Sequence, residues 1–565
     1  MSHPPVAPKD RRSCVSGQRL RFSKVTRSRC KVKESDFDEQ WETGQTLVND
    51  PHNNGTTTAT ETSVRQPTNH QSQKKHQVVY QRSPLKTALQ IVGLLTILFS
   101  VTMLPPMGVA WWYDGPDVIV PFAEAMGTML GLGLLCWLPV CRHKIDLRNR
   151  DGFVVVVAFW FLLSLIGALP FMLSDNPHMP LVDAVFETVS GLTTTGASVL
   201  SGLDAIPKAI VYYRAQLNFL GGMGIIVLAV ALLPMLGVGG MQLYKAETPG
   251  PMKDEKLTPR ITETAKNLWY IYVALNVVCT LSFWWAGMNF FDALCHSFAT
   301  LALGGFSTHD ASIGYYNSAA IELVAGFFSI VAAINFALFF LAWRSRSIKA
   351  IFRDSEFRFC MVIFGGIIAI TCAHLYLSGK FSPWESFHHG FFQAASVITD
   401  NGLLTTGYPA DWPLFVPLLL LLGSFFGGCV GSTCGGIKAI RFLLLYKQSV
   451  REARLLIRPS AQIAVKLGNH PVPDRVMQAV WGFYYLYIFC YCFFSLALTA
   501  TGVDLVTAFG SVAACLNNMG IGLGETASNF SSLNDTATWL LSLSMLVGRF
   551  EVFPLLLLFL PDFWK

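Results

Sequence analysis

An all-α polytopic membrane protein, with two N-terminal spans followed by four repeats of helix, re-entrant loop and helix around a centre, is the fold class this sequence predicts. Three observations predict it. First, the 565 residues are 52% hydrophobic and only 14% charged, against about 25% charged in soluble domains. Phe occurs 42 times, as often as Lys and Arg together, which also total 42. The mean hydropathy is +0.43. Such a chain cannot cover itself with charge, so its solvent is lipid. A soluble enzyme, a disordered scaffold and a coiled coil are excluded. Second, ten apolar runs have the length that crosses a hydrocarbon core. Third, one glycine-containing string returns four times in the same register.

The chain opens on a tail. Residues 1–82 hold 14 Lys/Arg and 8 Asp/Glu, which accounts for the whole net charge of +6. Asn49 to Gln73 is rich in Asn, Thr and Gln, a composition that does not bury a core. No apolar stretch of signal-peptide type interrupts the tail. It reads as a solvated cytoplasmic extension, although a basic tail can also touch anionic lipid or nucleic acid. The thirteen Cys are scattered in apolar runs as small hydrophobes, and Cys429 with Cys434 has no metal-site spacing.

Spans need about 20 apolar residues. They are expected at 87–107, 120–140, 153–173, 211–235, 267–287, 319–343, 359–379, 411–446, 478–501 and 536–560. Basic residues mark alternate loops: Arg142, Lys144, Arg148 and Arg150; Lys245, Lys253, Lys256, Arg260 and Lys266; Arg344, Arg346, Lys349, Arg353 and Arg358; Arg451, Arg454, Arg458, Lys466 and Arg475. The positive-inside rule makes these loops and both termini cytoplasmic.

The opposite loops of the last eight spans carry the repeat. They read ETVSGLTTTGAS (187–198), HSFATLALGGFS (296–307), QAASVITDNGLL (393–404) and SVAACLNNMGIG (511–522). The tenth place is Gly196, Gly305, Gly402 and Gly520. Asp183 and Asp292 lie thirteen residues earlier in the first two copies. Stretches too short to cross must be re-entrant, and irregular backbone at membrane depth survives only inside protein or beside a watery cavity. Four of them suit a central pore. The expected units are the tail 1–83, a hairpin 84–150, and repeats at 151–240, 241–345, 346–460 and 461–565.

The chemistry such loops supply is ion dehydration. Backbone carbonyls replace water around a cation. Glycine permits the positive φ that turns successive carbonyls inward, and the negative ends of the short helices face the ion. None of the four strings contains Lys or Arg, which favours a cation. The candidate filter is Thr194, Thr195 and Gly196; Leu303, Gly304 and Gly305; Asp400, Asn401 and Gly402; Asn518, Met519 and Gly520. Thr193, Thr399 and Asn517 add oxygens, brace the loops, or merely cap the short helices.

The eighth span contains GSFFGGCVGSTCGG (423–436), six Gly in fourteen residues. A helix there would cost about 6 kcal/mol relative to Ala, at about 1 kcal/mol per Gly. The alternative is a small-residue packing face. The preceding run, Trp412 to Leu422, rises through about half of a ~30 Å core. The weak segment therefore begins near the midplane, where a loop obstructs a pore. Gly427, Gly428, Gly431, Ser432, Thr433, Gly435 and Gly436 are the candidate gate. Arg549, costly inside the tenth span, faces the interior as its latch, or else makes a plain interhelical ion pair; Glu551 points elsewhere on that helix. Asn335 is a second loop partner or a satisfied buried amide.

SGLTTTGA, LGGFST, TDNG and NNMGIGLGE resemble the four pore loops of the Trk/Ktr/HKT superfamily of potassium transporters. LNFLGGMGIIVLAVALLP (217–234) and MLVGRFEVFPLLLLFLPDFW (545–564) resemble its bacterial TrkH-type pore subunits. The resemblance covers about 84–565. It implies two extra spans before the repeats and a K+-selective filter glycine in each copy. It also implies an intramembrane gating loop, a homodimer and a cytoplasmic nucleotide-binding regulatory subunit of the TrkA type. The second loop departs by reading ALGG where a hydroxyl often precedes the glycines. The bacterial cytoplasmic membrane is the expected location, with K+ as the transported ion and no cofactor or nucleic acid bound. The chain has no GxxxxGK[ST] and no strand–GxGxxG–helix unit, so it is not itself an ATP-driven pump or an enzyme. An alternating-access cation–proton symporter is the other reading, with Glu322 as its weak carboxylate candidate.

Overall fold

A computed structural model describes residues 84–141, 149–232, 261–468, 470–552, 555 and 558–561. The predicted tail, the basic stretches at 142–148 and 245–260, and the last four residues lie outside them.

The described residues are almost wholly helical. The N-terminal hairpin is α1 (Pro84–Ser100), α2 (Leu104–Val109) and α3 (Ile119–Trp137). α4 (Asn149–Ile166) and α5 (Leu169–Leu173) lead to the short α6 (Leu181–Leu192), and α7 (Lys208–Leu232) follows. α8 (Ile261–Trp285), the short α9 (Phe290–Ala302), α10 (Ala319–Ala332) and α11 (Phe336–Ser345) come next. After α12 (Lys349–Arg353) come α13 (Ser355–Leu377), the short α14 (Pro383–Ile398), α15 (Phe415–Ser424) and α16 (Ala439–Ile457). α17 (Asp474–Ala500), the short α18 (Leu505–Leu516) and α19 (Asp535–Arg549) complete the order. Lys466–Leu467 pairs with His470–Pro471 in a two-residue hairpin after α16.

Each short helix packs between longer neighbours: α6 on α7 and α19, α9 on α7 and α8, α14 on α10 and α13, α18 on α17 and α19. Caps set where they start. Asn289, Ser382 and Asp504 accept N–H groups of the first turns of α9, α14 and α18, satisfying donors that a helix start leaves open.

Polarity runs opposite to a soluble protein. Leu98, Val362, Leu377, Leu422, Tyr485 and Leu496 are all more than half exposed, whereas Glu187, Thr193, Asn401, Thr433 and Asn517 are fully buried. Apolar area on this scale marks contact with lipid or a partner.

Two spans, the sixth and the tenth, differ from expectation, and the eighth is interrupted as its glycines predict. Six helical stretches among the described residues are long and apolar enough to cross a membrane, and a seventh is the bent pair α10–α11. The sixth span was expected to be continuous over 319–343; it breaks by 86° between Ala332 and Phe336. Asn335 causes the restart: its side chain accepts the Ala337 N–H at 2.8 Å as the cap of α11. The eighth run is helical only over Phe415–Ser424 before the irregular segment 425–438. The tenth was expected to run to 560, but α19 stops at Arg549 because Glu551 and Val552 turn to φ 52° and 64°. Arg549 therefore sits at a helix C-terminus, where a cation suits the dipole, and Glu551 is not on that helix at all.

Candidate functional site: a ring of four loops above an irregular segment

The four short helices end in one way. The residue two before each candidate glycine takes positive φ: Thr194 at 51°, Leu303 at 54°, Asp400 at 61° and Asn518 at 57°. The next N–H folds back on the helix: Thr195 to Ser190, Gly304 to Ala299, Asn401 to Ser396 and Met519 to Ala514, each at 2.8 Å. This is the six-to-one bond that closes a helix on a left-handed residue. The glycines follow at φ 84° (Gly196), 68° (Gly305), 81° (Gly402) and 82° (Gly520).

The glycines also face one another. A Cβ on Gly196 would meet the Gly304 carbonyl, one on Gly305 the Asn401 carbonyl, one on Gly402 the Met519 carbonyl and one on Gly520 the Thr195 carbonyl, all under 3.0 Å. The loops thus form a closed ring in chain order, each glycine against the carbonyl preceding the next one. A cavity of about 260 Å³ is lined by all four glycines and by Ser198 and Arg214.

Side chains brace the ring from behind. Thr193 donates to the Val189 carbonyl and shares a 2.7 Å bond with Thr195. Thr399 donates back to Ala395 at 2.8 Å, and the Asn401 amide donates to Ser329 at 2.8 Å. The Asn518 amide donates to the Thr195 hydroxyl at 2.9 Å and the Met545 carbonyl at 3.0 Å. Asn517 donates to Ser424 at 2.7 Å and accepts from Tyr487. Both Asp400 carboxylate oxygens are buried without a hydrogen-bond partner among the described residues.

Two charges at the ring were missed from sequence. Arg214 on α7 is 2% exposed and bonds Glu187, on α6, at 2.6 Å. Its other nitrogens donate to the Ser307 carbonyl at 3.2 Å and the Ser198 hydroxyl at 3.0 Å, and its guanidinium lies 4.2 Å over the Phe306 ring. One side chain so ties the first loop to the second, at the residues two past Gly196 and Gly305. The signal was available: Arg214 is the single Lys or Arg in the run 211–235, and such a charge must point inward.

The irregular segment 425–438 is held by distant partners. The Cys429 N–H donates to Ala333 at 2.9 Å, and the Gly431 carbonyl accepts from Phe336 at 3.1 Å, so both sides of the α10–α11 break are used. The Val430 N–H donates to Glu356 at 2.8 Å, and Gly436 donates to the Asn517 carbonyl at 3.1 Å. Thr433 donates to the Leu301 carbonyl at 3.0 Å, and Ser432 to Cys429 at 2.6 Å. Gly427, Gly431 and Gly436 have φ 57°, 81° and 66°. Gly428 and Gly435 are crowded instead: an added Cβ would strike the Ala333 and Asn517 carbonyls. Asn335 lies against Gly431, whose Cβ would be 2.8 Å from its oxygen.

Arg549 spans the two elements. Nη1 donates to the Thr433 carbonyl at 3.2 Å, and Nη2 donates to the Thr194 hydroxyl at 2.6 Å. The second contact reaches the ring itself and was not foreseen. Lys438, buried at φ 79°, donates to the Cys434 carbonyl and adds another cation that sequence reading passed over. Glu551 pairs with Arg441. Glu322 is far along α10 from the segment and bonds His388 and His389 at 2.7 and 2.9 Å.

Known proteins share this chain's sequence and fold. Residues 122–565 match the family model of TrkH cation transport proteins. The Trk system potassium uptake protein TrkH of Vibrio parahaemolyticus is 51% identical over 85% of this chain and 99% of its own. The Trk system potassium uptake protein TrkG of Escherichia coli is 47% identical over 86% and 99%. The crystal structure of the potassium transporter TrkH from Vibrio parahaemolyticus superposes with a TM-score of 0.79 at 48% identity, covering 85% of this chain and 99% of that one. The chain belongs to the TrkH family of cation transport proteins.

Proposed function

We propose that this chain is the pore subunit of a Trk-type potassium uptake system, in which the four-loop ring is the filter and the segment 425–438 is the gate. The family is one of transporters, not enzymes. The observation that carries the reading is the ring: four glycines at positive φ, each against the carbonyl preceding the next, with no side chain between them. Carbonyl oxygens on such a ring replace the hydration shell of a K+ ion. The short helices point their C-termini at it, and their partial negative charge lowers the cost of dehydration. Asp400 adds a buried carboxylate. Arg549, bonded to both Thr433 and Thr194, holds the segment beneath the ring and sets a positive charge in the cation path.

Thr194, Thr195, Gly196, Leu303, Gly304, Gly305, Asp400, Asn401, Gly402, Asn518, Met519 and Gly520 form the filter in this reading. Gly427, Gly428, Gly431, Ser432, Thr433, Gly435, Gly436 and Arg549 form the gate. The subunit works as a homodimer in the bacterial inner membrane with both termini cytoplasmic, and a TrkA-type nucleotide-binding subunit opens it. The test is growth and K+ uptake at low external K+ by cells lacking their own K+ uptake systems. Expression of this chain with such a partner restores uptake. Membrane-inserted protein that restores none, with or without the partner, contradicts the reading.

A further inference from the structure

Away from the ring, one cluster has a chemistry the proposed transport does not use. Glu322 lies in the first turn of α10 and is 1% exposed. Eleven residues, about 16 Å of helix rise, separate it from the Ala333 carbonyl that holds Cys429. Its ion pairs among the described residues are with two imidazoles, His388 Nδ1 at 2.7 Å and His389 Nδ1 at 2.9 Å. The Thr405 hydroxyl joins them, 2.5 Å from the carboxylate and 2.9 Å from His389 Nδ1. No other three His, Cys, Asp or Glu side chains among the described residues converge as closely, with all ligand atoms within 4.8 Å of one another.

We propose that Glu322, His388 and His389 bind one divalent transition-metal ion of the zinc class, with the Thr405 hydroxyl or a water in the fourth position. Two imidazole nitrogens and one carboxylate are a donor set that suits a borderline-soft ion and not Mg2+ or Ca2+, which take oxygens. Donors around a tetrahedral zinc, with bonds of about 2.0–2.1 Å, stand about 3.3 Å apart. The two nitrogen–oxygen contacts, at 2.7 and 2.9 Å to the two carboxylate oxygens, are about half an ångström shorter than that, and the three ligand atoms together span no more than 4.8 Å. The imidazoles are already oriented: the Trp384 ring lies 5.7 Å from that of His388, and Phe381 lies 5.6 Å from His389. Both histidines keep 7% exposure. On binding, each imidazole coordinates through Nδ1 and keeps one proton on Nε2: in a neutral ring the Nδ1 proton is exchanged for one on Nε2, and a doubly protonated ring gives its Nδ1 proton to solvent, so that the Nδ1 lone pair goes to the metal. Protons compete with the ion for the same nitrogens, and binding weakens in acid. The ion fastens α10 to α14, and through Thr405 to the loop three residues past Gly402, and this holds whatever the ring conducts.

The test uses the full chain in lipid nanodiscs, titrated with Zn2+ by calorimetry and with Co2+ by visible absorption. One ion per chain is expected, with tetrahedral Co2+ bands, undisturbed by excess Mg2+, and with affinity falling as the medium is acidified. The double variant His388→Gln/His389→Gln should lose more than about tenfold in affinity, while His309→Gln should not. If the double variant does not fold, Glu322→Gln takes its place. Absence of stoichiometric binding by the unmodified chain overturns the proposal. So do octahedral Co2+ bands alone, or a folded double variant that binds as before.

Discussion

The four-loop ring and the segment 425–438 are both non-helical backbone enclosed by helices, yet they are held in opposite ways. Each ring loop closes on its own helix through a bond of 2.8 Å, and does so four times with the same φ signs. The segment has short-range bonds of its own, such as Ser432 to Cys429 and Ile437 to Phe425, but it is tied into the fold from a distance. Its remote partners are Ala333, Phe336, Glu356, Leu301, Asn517 and Arg549, from five different parts of the chain. Locally closed backbone keeps its shape when neighbours shift. Backbone held by remote partners opens when one of them moves. The difference suits a ring that must keep its dimensions and a segment that must yield.

Breaking the tie that Arg214 makes between the first and second loops should have the largest effect. Arg214→Ala leaves Glu187 as an unpaired buried carboxylate, which costs about 3–5 kcal/mol. The thermal unfolding midpoint of the purified variant should fall below that of every other substitution named here; an unchanged midpoint would mean the ring is fixed by its other bonds without Arg214. Next come Gly196→Ser, Gly305→Ser, Gly402→Ser and Gly520→Ser. Each adds a Cβ where a carbonyl already stands, and at positive φ. K+ over Na+ discrimination should drop about tenfold, which is 1.4 kcal/mol. Unaltered ratios in all four would remove the ring from selectivity.

Smaller effects belong to the segment. Arg549→Ala removes two hydrogen bonds, together worth about 1 kcal/mol, and a cation from the path. K+ flux should rise about fivefold, and removal of residues within 427–435 should raise it similarly. Smallest is a pH effect at the loop after α9. Burial alone would lower the His309 pKa, but Asp292 at 3.3 Å and Asp204 at 2.5 Å outweigh it and raise it above the ordinary value. The raised value favours the folded state most fully below about pH 6.5, and the contribution fades as pH climbs through the folded pKa. His309→Gln should flatten that part of the stability–pH curve; an unchanged curve would show that the pair does not titrate there.

The register of the glycines was legible because repetition exposes it. The equal φ at Thr194, Leu303, Asp400 and Asn518 was not, since four unlike side chains share one conformation and only the tertiary ring imposes it. Six glycines in fourteen residues marked 423–436 as irregular, and its loss of helix begins at 425. The partners of that segment were hidden, because sequence distance says nothing of Leu301 or Thr194. The break before Asn335 carries no Pro or Gly and lies within an apolar stretch, so hydropathy read through it. The end of α19 was hidden likewise: Phe550 to Leu560 stays mostly apolar although Glu551 and Val552 reverse the chain. Arg214, Lys438 and Glu187 were readable in principle, since a charge within an apolar run has to find a buried partner.

The central claim is that ring and segment do separate work in one pore, selection above and obstruction below. The most direct measurement is K+ and Na+ flux into proteoliposomes holding this chain alone, for the parent, Arg549→Ala, the shortened segment and both changes together. The account predicts faster K+ flux in each single variant and a combined gain short of the sum, because both act on one element. It also predicts K+ over Na+ preference unchanged throughout. Folded, inserted variants that conduct no faster than the parent, or that gain flux only by losing selectivity, would contradict it.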